Sequence, residues 1–207
     1  MKNYKAQLTF LILLISASIT AQIGGIKPLK IYRTRFEDGY YYKDTDNTFN
    51  NFVGTWVYIN GSSTLQIKFK KITKFQFPGY FIDALVGEYQ YIKNGTEQIN
   101  TLSQLNTNLG RPSSYSIFSD FIMFKNDRPF CTDCSTTELR VCLTLNDVLL
   151  DVYFDVYIRK IMSNGQHAID VKLKTDGLRR DGTTFDNMTE TLVGGTIPNG
   201  EYILIKQ

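Results

Sequence analysis

Asn-Gly and Asp-Gly pairs break this chain at short intervals, and between the breaks apolar side chains recur at every second position. Asn60-Gly61, Asn94-Gly95, Asn164-Gly165 and Asn199-Gly200 bring the positive φ angles that tight hairpin turns require. Asp176-Gly177 and Asp181-Gly182 add two further breaks. Leu65, Ile67 and Phe69 alternate with Gln66, Lys68 and Lys70. Val152, Phe154, Val156 and Ile158 alternate with Tyr153, Asp155, Tyr157 and Arg159, and Ile169, Val171 and Leu173 with Asp170, Lys172 and Lys174. A period of two places one face in a core and the other in water, which is the antiparallel pattern. Residues 52–60, 82–93, 116–124, 137–145 and 202–206 read the same way. That gives about eight strands, with a ninth near 96–102. A two-residue loop at Asn164-Gly165 sets Ile158 opposite Val171.

No stretch past the N-terminus holds a helical period for three turns. The short exception is 45–53, where Asp46 or Asn47 can cap a turn carrying Phe49, Phe52 and Val53. The 14 Phe and 13 Tyr, with many Thr, Val and Ile, suit half-buried strands. An all-β domain of this kind closes into a barrel or splits into a two-sheet sandwich. Closure removes exposed edges, and the barrel is favoured.

Residues 1–21 have the order of a secretion signal: Lys2 and Lys5, an apolar run over 8–15, then small and hydroxyl residues ending at Ala21. The run is too short to span a bilayer, which takes ~20 apolar residues. No Cys follows it to carry a lipid anchor. The expectation is an exported protein, periplasmic or extracellular, with no transmembrane segment in the mature chain. Residues 22–44 read as a loose lead-in, with Tyr40 to Tyr42 as an extra edge strand, and 45–207 as one domain. Two of the 23 basic residues, Lys2 and Lys5, fall in the leader, leaving 21 against 20 acids. That balance is no footprint for nucleic acid. Lys68, Lys70, Lys71 and Lys74 are expected on the wet face of a strand.

Candidates for chemistry are few. The single histidine, His167, flanks a turn and would have to carry any Ser-His or Cys-His mechanism alone. Cys131, Cys134 and Cys142 lack the second half of a zinc spacing, and export favours oxidised cysteines. Cys131 and Cys134 are the disulfide candidate, and Cys142 is expected free on a strand. Asp44, Asp46, Asp83 and Glu88 offer carboxylates for glycoside hydrolysis, but no spacing selects a pair, and solvated surface is the default. No cofactor or metal is expected.

A capped turn followed by Gly54-Thr55-Trp56 resembles the start of lipocalin-like barrels. The resemblance implies an indole laid across the closed end of the barrel, covered by a basic side chain, for which Arg159 and Lys206 both stand available. From about residue 41 to 207 the chain also resembles an uncharacterised family of exported flavobacterial proteins. Phe52-Val53-Gly54-Thr55-Trp56, Asn60-Gly61, Val86-Gly87-Glu88-Tyr89-Gln90-Tyr91, Asn100-Thr101-Leu102 and Lys206-Gln207 carry that likeness. It implies localisation and architecture, and no activity. The first functional expectation is a non-enzymatic barrel binding a small apolar or aromatic ligand through Trp56, Tyr89, Tyr91 and Phe154. The alternative is a filled barrel that meets an envelope or surface macromolecule through outward aromatics such as Tyr153 and Tyr157. A carboxylate hydrolase ranks last. A hollow interior favours the first; a filled core favours the second.

Overall fold

The alternating segments become strands. A computed structural model describes residues 24–29, 36–181, 189–192 and 194–207; the expected leader, residues 1–21, lies outside them. Twelve strands run through the described residues. They are β1 (Gly25–Pro28), β2 (Tyr40–Lys43), β3 (Gly54–Asn60), β4 (Ser63–Phe77), β5 (Tyr80–Lys93) and β6 (Thr96–Asn100). After a long arm follow β7 (Ile117–Met123), β8 (Arg140–Asp147), β9 (Val152–Ser163), β10 (Gln166–Asp181), β11 (Thr189–Leu192) and β12 (Gly200–Lys206).

Eight of these, β3, β4, β5, β7, β8, β9, β10 and β12, bond in a closed ring, each antiparallel to its neighbours. The domain is a barrel, and the sandwich alternative falls away. The ring consists of two meanders, β3-β4-β5 and β7-β8-β9-β10-β12, joined along two short seams. At one seam Leu85, Val86 and Gly87 pair with Ser119, Phe118 and Ile117. At the other Trp56 and Val57 pair with Lys206 and Ile205. The same edge of β5 also pairs with β2 before the seam and with β6 after it. Both β1–β2 and β2–β5 are parallel, so the flap outside the barrel departs from the antiparallel expectation.

The turns sort by their φ angles. Asn94-Gly95 (φ 52° and 77°) and Asn164-Gly165 (φ 49° and 76°) are two-residue turns with both φ positive. The second places Ile158 opposite Val171. Near Asn60-Gly61 the turn slips by one residue: Asn60 pairs with Ser63, and Gly61-Ser62 form the loop. Asp176-Gly177 is not a break, because β10 runs through it and absorbs the irregularity as a register shift between Lys174 and Leu178. A bulge lengthens one strand without ending it. Asn199-Gly200 joins no hairpin; it ends a loop and leads into β12. Gly182 and the residues after it, to 188, lie outside the described residues.

The inward faces form one apolar core containing Leu65, Ile67, Phe69, Leu85, Leu143, Val156 and Val171. One end of the barrel is closed by a 3-10 turn, Thr48–Asn51, with Phe49 and Phe52 buried beside Trp56. Its cap differs from expectation. Asn47 stands at the cap position without a side-chain bond to the turn; Asp44 supplies it, its carboxylate receiving the amides of Thr48 (2.8 Å) and Phe49 (2.9 Å). Burial explains the choice, since Asp44 is wholly enclosed and Asp46 exposed. The lead-in is accordingly not loose at its end: Tyr42 is fully buried and β2 is part of the sheet. At the other end the loop from Gly194 to Asn199 turns inward, and Ile197 joins the core. Gly195 packs so closely that a Cβ there would lie 2.6 Å from the Phe154 ring.

Candidate functional site

Trp56, Tyr89, Tyr91 and Phe154, the expected ligand-binding side chains, all sit in the packed core. The Trp56 indole N–H donates to the Phe52 carbonyl at 2.6 Å, which meets the hydrogen-bond need of a buried indole. Lys206, not Arg159, stands over its ring, Nζ 5.3 Å from the centroid. Gly54, at φ 123°, brings the start of β3 beneath that lysine. The Tyr89 hydroxyl reaches the Asn146 carbonyl at 3.3 Å, and burial pushes that phenol well above its ordinary range. Tyr58 and Tyr202 meet edge to face. The space left among Leu65, Ile67, Leu143, Val156, Val171 and Ile197 is about 10 Å³ and wholly apolar. A single water needs roughly 10–15 Å³ and polar partners. Among the described residues, the centre of the barrel is filled.

The carboxylates overturn the expectation of a solvated surface. Asp44, Asp83 and Glu88 are buried; Asp46 alone of the four is exposed. Asp44 and Asp83 come together beside Lys71, whose ammonium is 2.9 Å from Asp44 Oδ2 and 3.8 Å from Asp83 Oδ2. Asp83 also accepts from the Tyr41 hydroxyl (2.5 Å), the Asp44 amide (3.0 Å) and the Lys74 amide (2.9 Å). Burial, with the Asp83 hydrogen bond next, holds the Tyr41 phenol above its ordinary range. These oxygens are occupied by the chain itself, so the cluster clamps β2, β4 and β5 together. Glu88 takes the Ser116 amide at 3.2 Å. Lys70 and Lys71 correct the wet-face reading in turn. Lys70 bonds the Leu105 carbonyl (2.6 Å) and the Tyr115 hydroxyl (2.9 Å), holding the arm between β6 and β7 against the barrel wall. His167 is exposed at the β9–β10 turn.

An open site lies outside the wall. The loop between β7 and β8 folds back over the outer face of β8, β9 and β10. Arg140 and Arg159 are opposite each other on adjacent strands, with Asp170 next to Arg159 on β10. Two guanidinium groups side by side repel, and each is met here by oxygen acceptors, with only Arg140 Nε left without one. Arg140 donates to the carbonyls of Pro129 (2.8 Å), Phe124 (2.8 Å) and Asp127 (2.9 Å). Arg159 donates to Asp170 (2.9 Å) and, from the other side, to Asp133 of the loop (2.5 Å). That hydrogen bond holds the Asp133 carboxyl below the usual range. Cys131 and Cys134 are joined by a disulfide, and Arg159 Nη1 is 3.7 Å from each sulfur. Cys142 is free, facing outward on β8, and burial pushes its thiol up to about 12. Between loop and strands remains a groove of about 190 Å³, with Phe130, Cys131, Tyr157, Lys172, Lys174 and Glu201 among its lining. Alternation alone marked Tyr157 and Arg159 as outward. It held no signal that a loop would return to cover them.

Fold and site together define a closed eight-stranded barrel with a filled centre and a polar groove on its outer wall. The chain belongs to a family of unknown function, DUF6705, whose model matches residues 1–207. No curated protein and no solved structure matches it. No helix among the described residues is long and apolar enough to cross a membrane.

Proposed function

We propose that this is an exported, non-enzymatic binding module that meets a macromolecule of the cell envelope or its surroundings on its outer wall. The observation that carries the reading is the groove of about 190 Å³ roofed by the β7–β8 loop, set against a core void of about 10 Å³. Sites that hold drug-sized ligands run to ~300–1,000 Å³, so the centre of the barrel has no room for one. The groove offers what recognition of a chain segment uses: aromatic surface from Phe130 and Tyr157, and charges of both signs from Lys172, Lys174, Asp133 and Glu201. Phe130, 65% exposed, is its protruding anchor. Export rests on the order of residues 1–21. The hydrolase reading loses support because the Asp44 and Asp83 oxygens are engaged by Lys71, Tyr41 and backbone amides.

Site-specific photo-crosslinking in cells that export the full chain tests this. A crosslinker in place of Phe130 should yield a discrete adduct; one in place of the exposed Gln98, on β6 across the barrel, should not. Equal labelling from both positions, or none from Phe130, rejects the groove. Saturable uptake of an apolar dye that quenches Trp56 would restore the interior-ligand reading.

A further inference from the structure

We propose that Cys131 and Cys134 form a thiol–disulfide exchange site: an external thiolate enters the outer groove, attacks Cys131 Sγ and expels Cys134 as a thiolate beside Arg159. This activity is independent of what else the groove binds.

The disulfide adds little as a staple. It joins residues only three apart, and the entropy removed from the unfolded chain by a cross-link grows with the loop it closes. The loop is already held from two sides, by Arg140 on three of its carbonyls and by Arg159 on Asp133. Breaking the bond therefore leaves the loop in place, as reversible chemistry requires.

The surroundings of the sulfurs favour exchange in one direction. A cation beside a sulfur stabilises the thiolate and makes it a better leaving group, and Arg159 Nη1 is 3.7 Å from both. The sulfurs differ in their other neighbour: Asp133 Oδ1 lies 3.4 Å from Cys131 Sγ. A carboxylate there opposes negative charge on Cys131, so Cys134 is the sulfur that leaves. Access agrees. Cys131 lines the groove and is 9% exposed, against 3% for Cys134. Arg140, Arg159, Lys172 and Lys174 line the groove against the carboxylates of Asp133, Asp170 and Glu201, with Lys172 paired to Glu201, and this balance of one positive charge favours an anionic thiol. Cys142 stays out of this chemistry, since its burial keeps the thiol protonated.

In the first step the bond between the two cysteine sulfurs breaks and one forms between the incoming sulfur and Cys131, the electron pair leaving on Cys134. With a monothiol the product is a mixed disulfide, which Cys134 reverses by attacking Cys131 and expelling the monothiol. With a dithiol, the second thiol loses its proton and attacks the reagent's own sulfur in the mixed disulfide. Cys131 then leaves with the electron pair and takes up a proton, and two electrons have passed from the dithiol to the protein.

The test uses the folded full chain, reduced glutathione as monothiol and dithiothreitol as dithiol, with acid quench, alkylation and peptide mapping. Glutathione should appear on Cys131, about tenfold over Cys134, and leave Cys142 unmodified. Asp133→Asn, at a side chain mostly in solvent, should bring the two sites close to equal. Arg159→Gln should slow adduct formation by about tenfold. The proposal is overturned if both reagents fail until denaturant unfolds the chain, if Cys134 carries as much adduct as Cys131, or if Asp133→Asn leaves the ratio unchanged. Because wild type and Asp133→Asn alone decide the matter, a failure of Arg159→Gln to fold does not weaken the test.

Discussion

Asp147, the last residue of β8, takes both polar hydrogens of Thr196: the backbone amide at 2.6 Å and the hydroxyl at 3.1 Å. One residue further on, Ile197 fills the end of the barrel. Hydrogen bonds to a charged acceptor contribute about 1.5–3 kcal/mol each. Asp147→Ala should therefore lower stability in urea by about 3 kcal/mol. Ile197→Ala should cost ~2–4 kcal/mol and let a benzene-sized solute raise the melting temperature, which wild type should not allow. Two near-neutral variants would show that the loop merely rests on the barrel.

Trp56 is fully enclosed and Lys206 is exposed above it. Trp56→Ala should cost ~3–5 kcal/mol, the range for truncating a core aromatic. Lys206→Met should cost only ~0.5–1 kcal/mol, the size of a solvated cation–π contact. Chemical denaturation measures both. Wild-type tryptophan emission at a fully solvated wavelength would contradict the burial.

Lys71 is the cation shared by two buried carboxylates. Removing one member of a buried ionic set leaves uncompensated charge and costs ~3–5 kcal/mol. Lys71→Met should fall in that range, while Lys68→Met, three residues away on β4 and at outward parity, should stay within ~0.5 kcal/mol. Equal effects would mean that the cluster is surface-like.

Asp120, where the β7–β8 ladder slips register, has its carboxyl raised above the ordinary range by burial. A group favoured in its neutral form stabilises the fold below the unfolded carboxyl's pKa. That stabilisation is lost as pH rises through the folded value. Stability should thus decline from about pH 4 upward across that window, and Asp120→Asn should flatten the decline and stabilise the chain at pH 7. A variant with an unchanged pH profile would assign the slope elsewhere.

Local order was legible because its causes are local. Asn164-Gly165 alone fixes the pairing of Ile158 with Val171, and alternation alone sends Phe154 inward and Tyr157 outward. Long-range order was not. Asp44 meets Asp83 only because β2 lies parallel to β5, across 39 residues, and no periodicity records which edge a short strand will join. Lys71 escapes the wet face because it has the parity of Leu65, Ile67 and Phe69, in a ladder that keeps its register as far as Ile72. Asp176-Gly177 misleads for the same reason, since a bulge and a turn recruit the same residues. The outer groove depends on Arg140 and Arg159 drawing back a loop whose own sequence shows no destination.

The two short seams carry a kinetic consequence. Within each meander every strand but one in the second pairs with its immediate successor, so its contacts are near in sequence and form early. The seams differ in reach. Leu85 to Gly87 must find strand positions about thirty residues on, whereas Trp56 and Lys206 are separated by nearly the whole domain. Loop-closure entropy sets the order: two curved half-shells first, the β5–β7 join next, and the β3–β12 join last. The Trp56 ring would thus be sealed in the final event, which makes its fluorescence a clock for completion of the barrel.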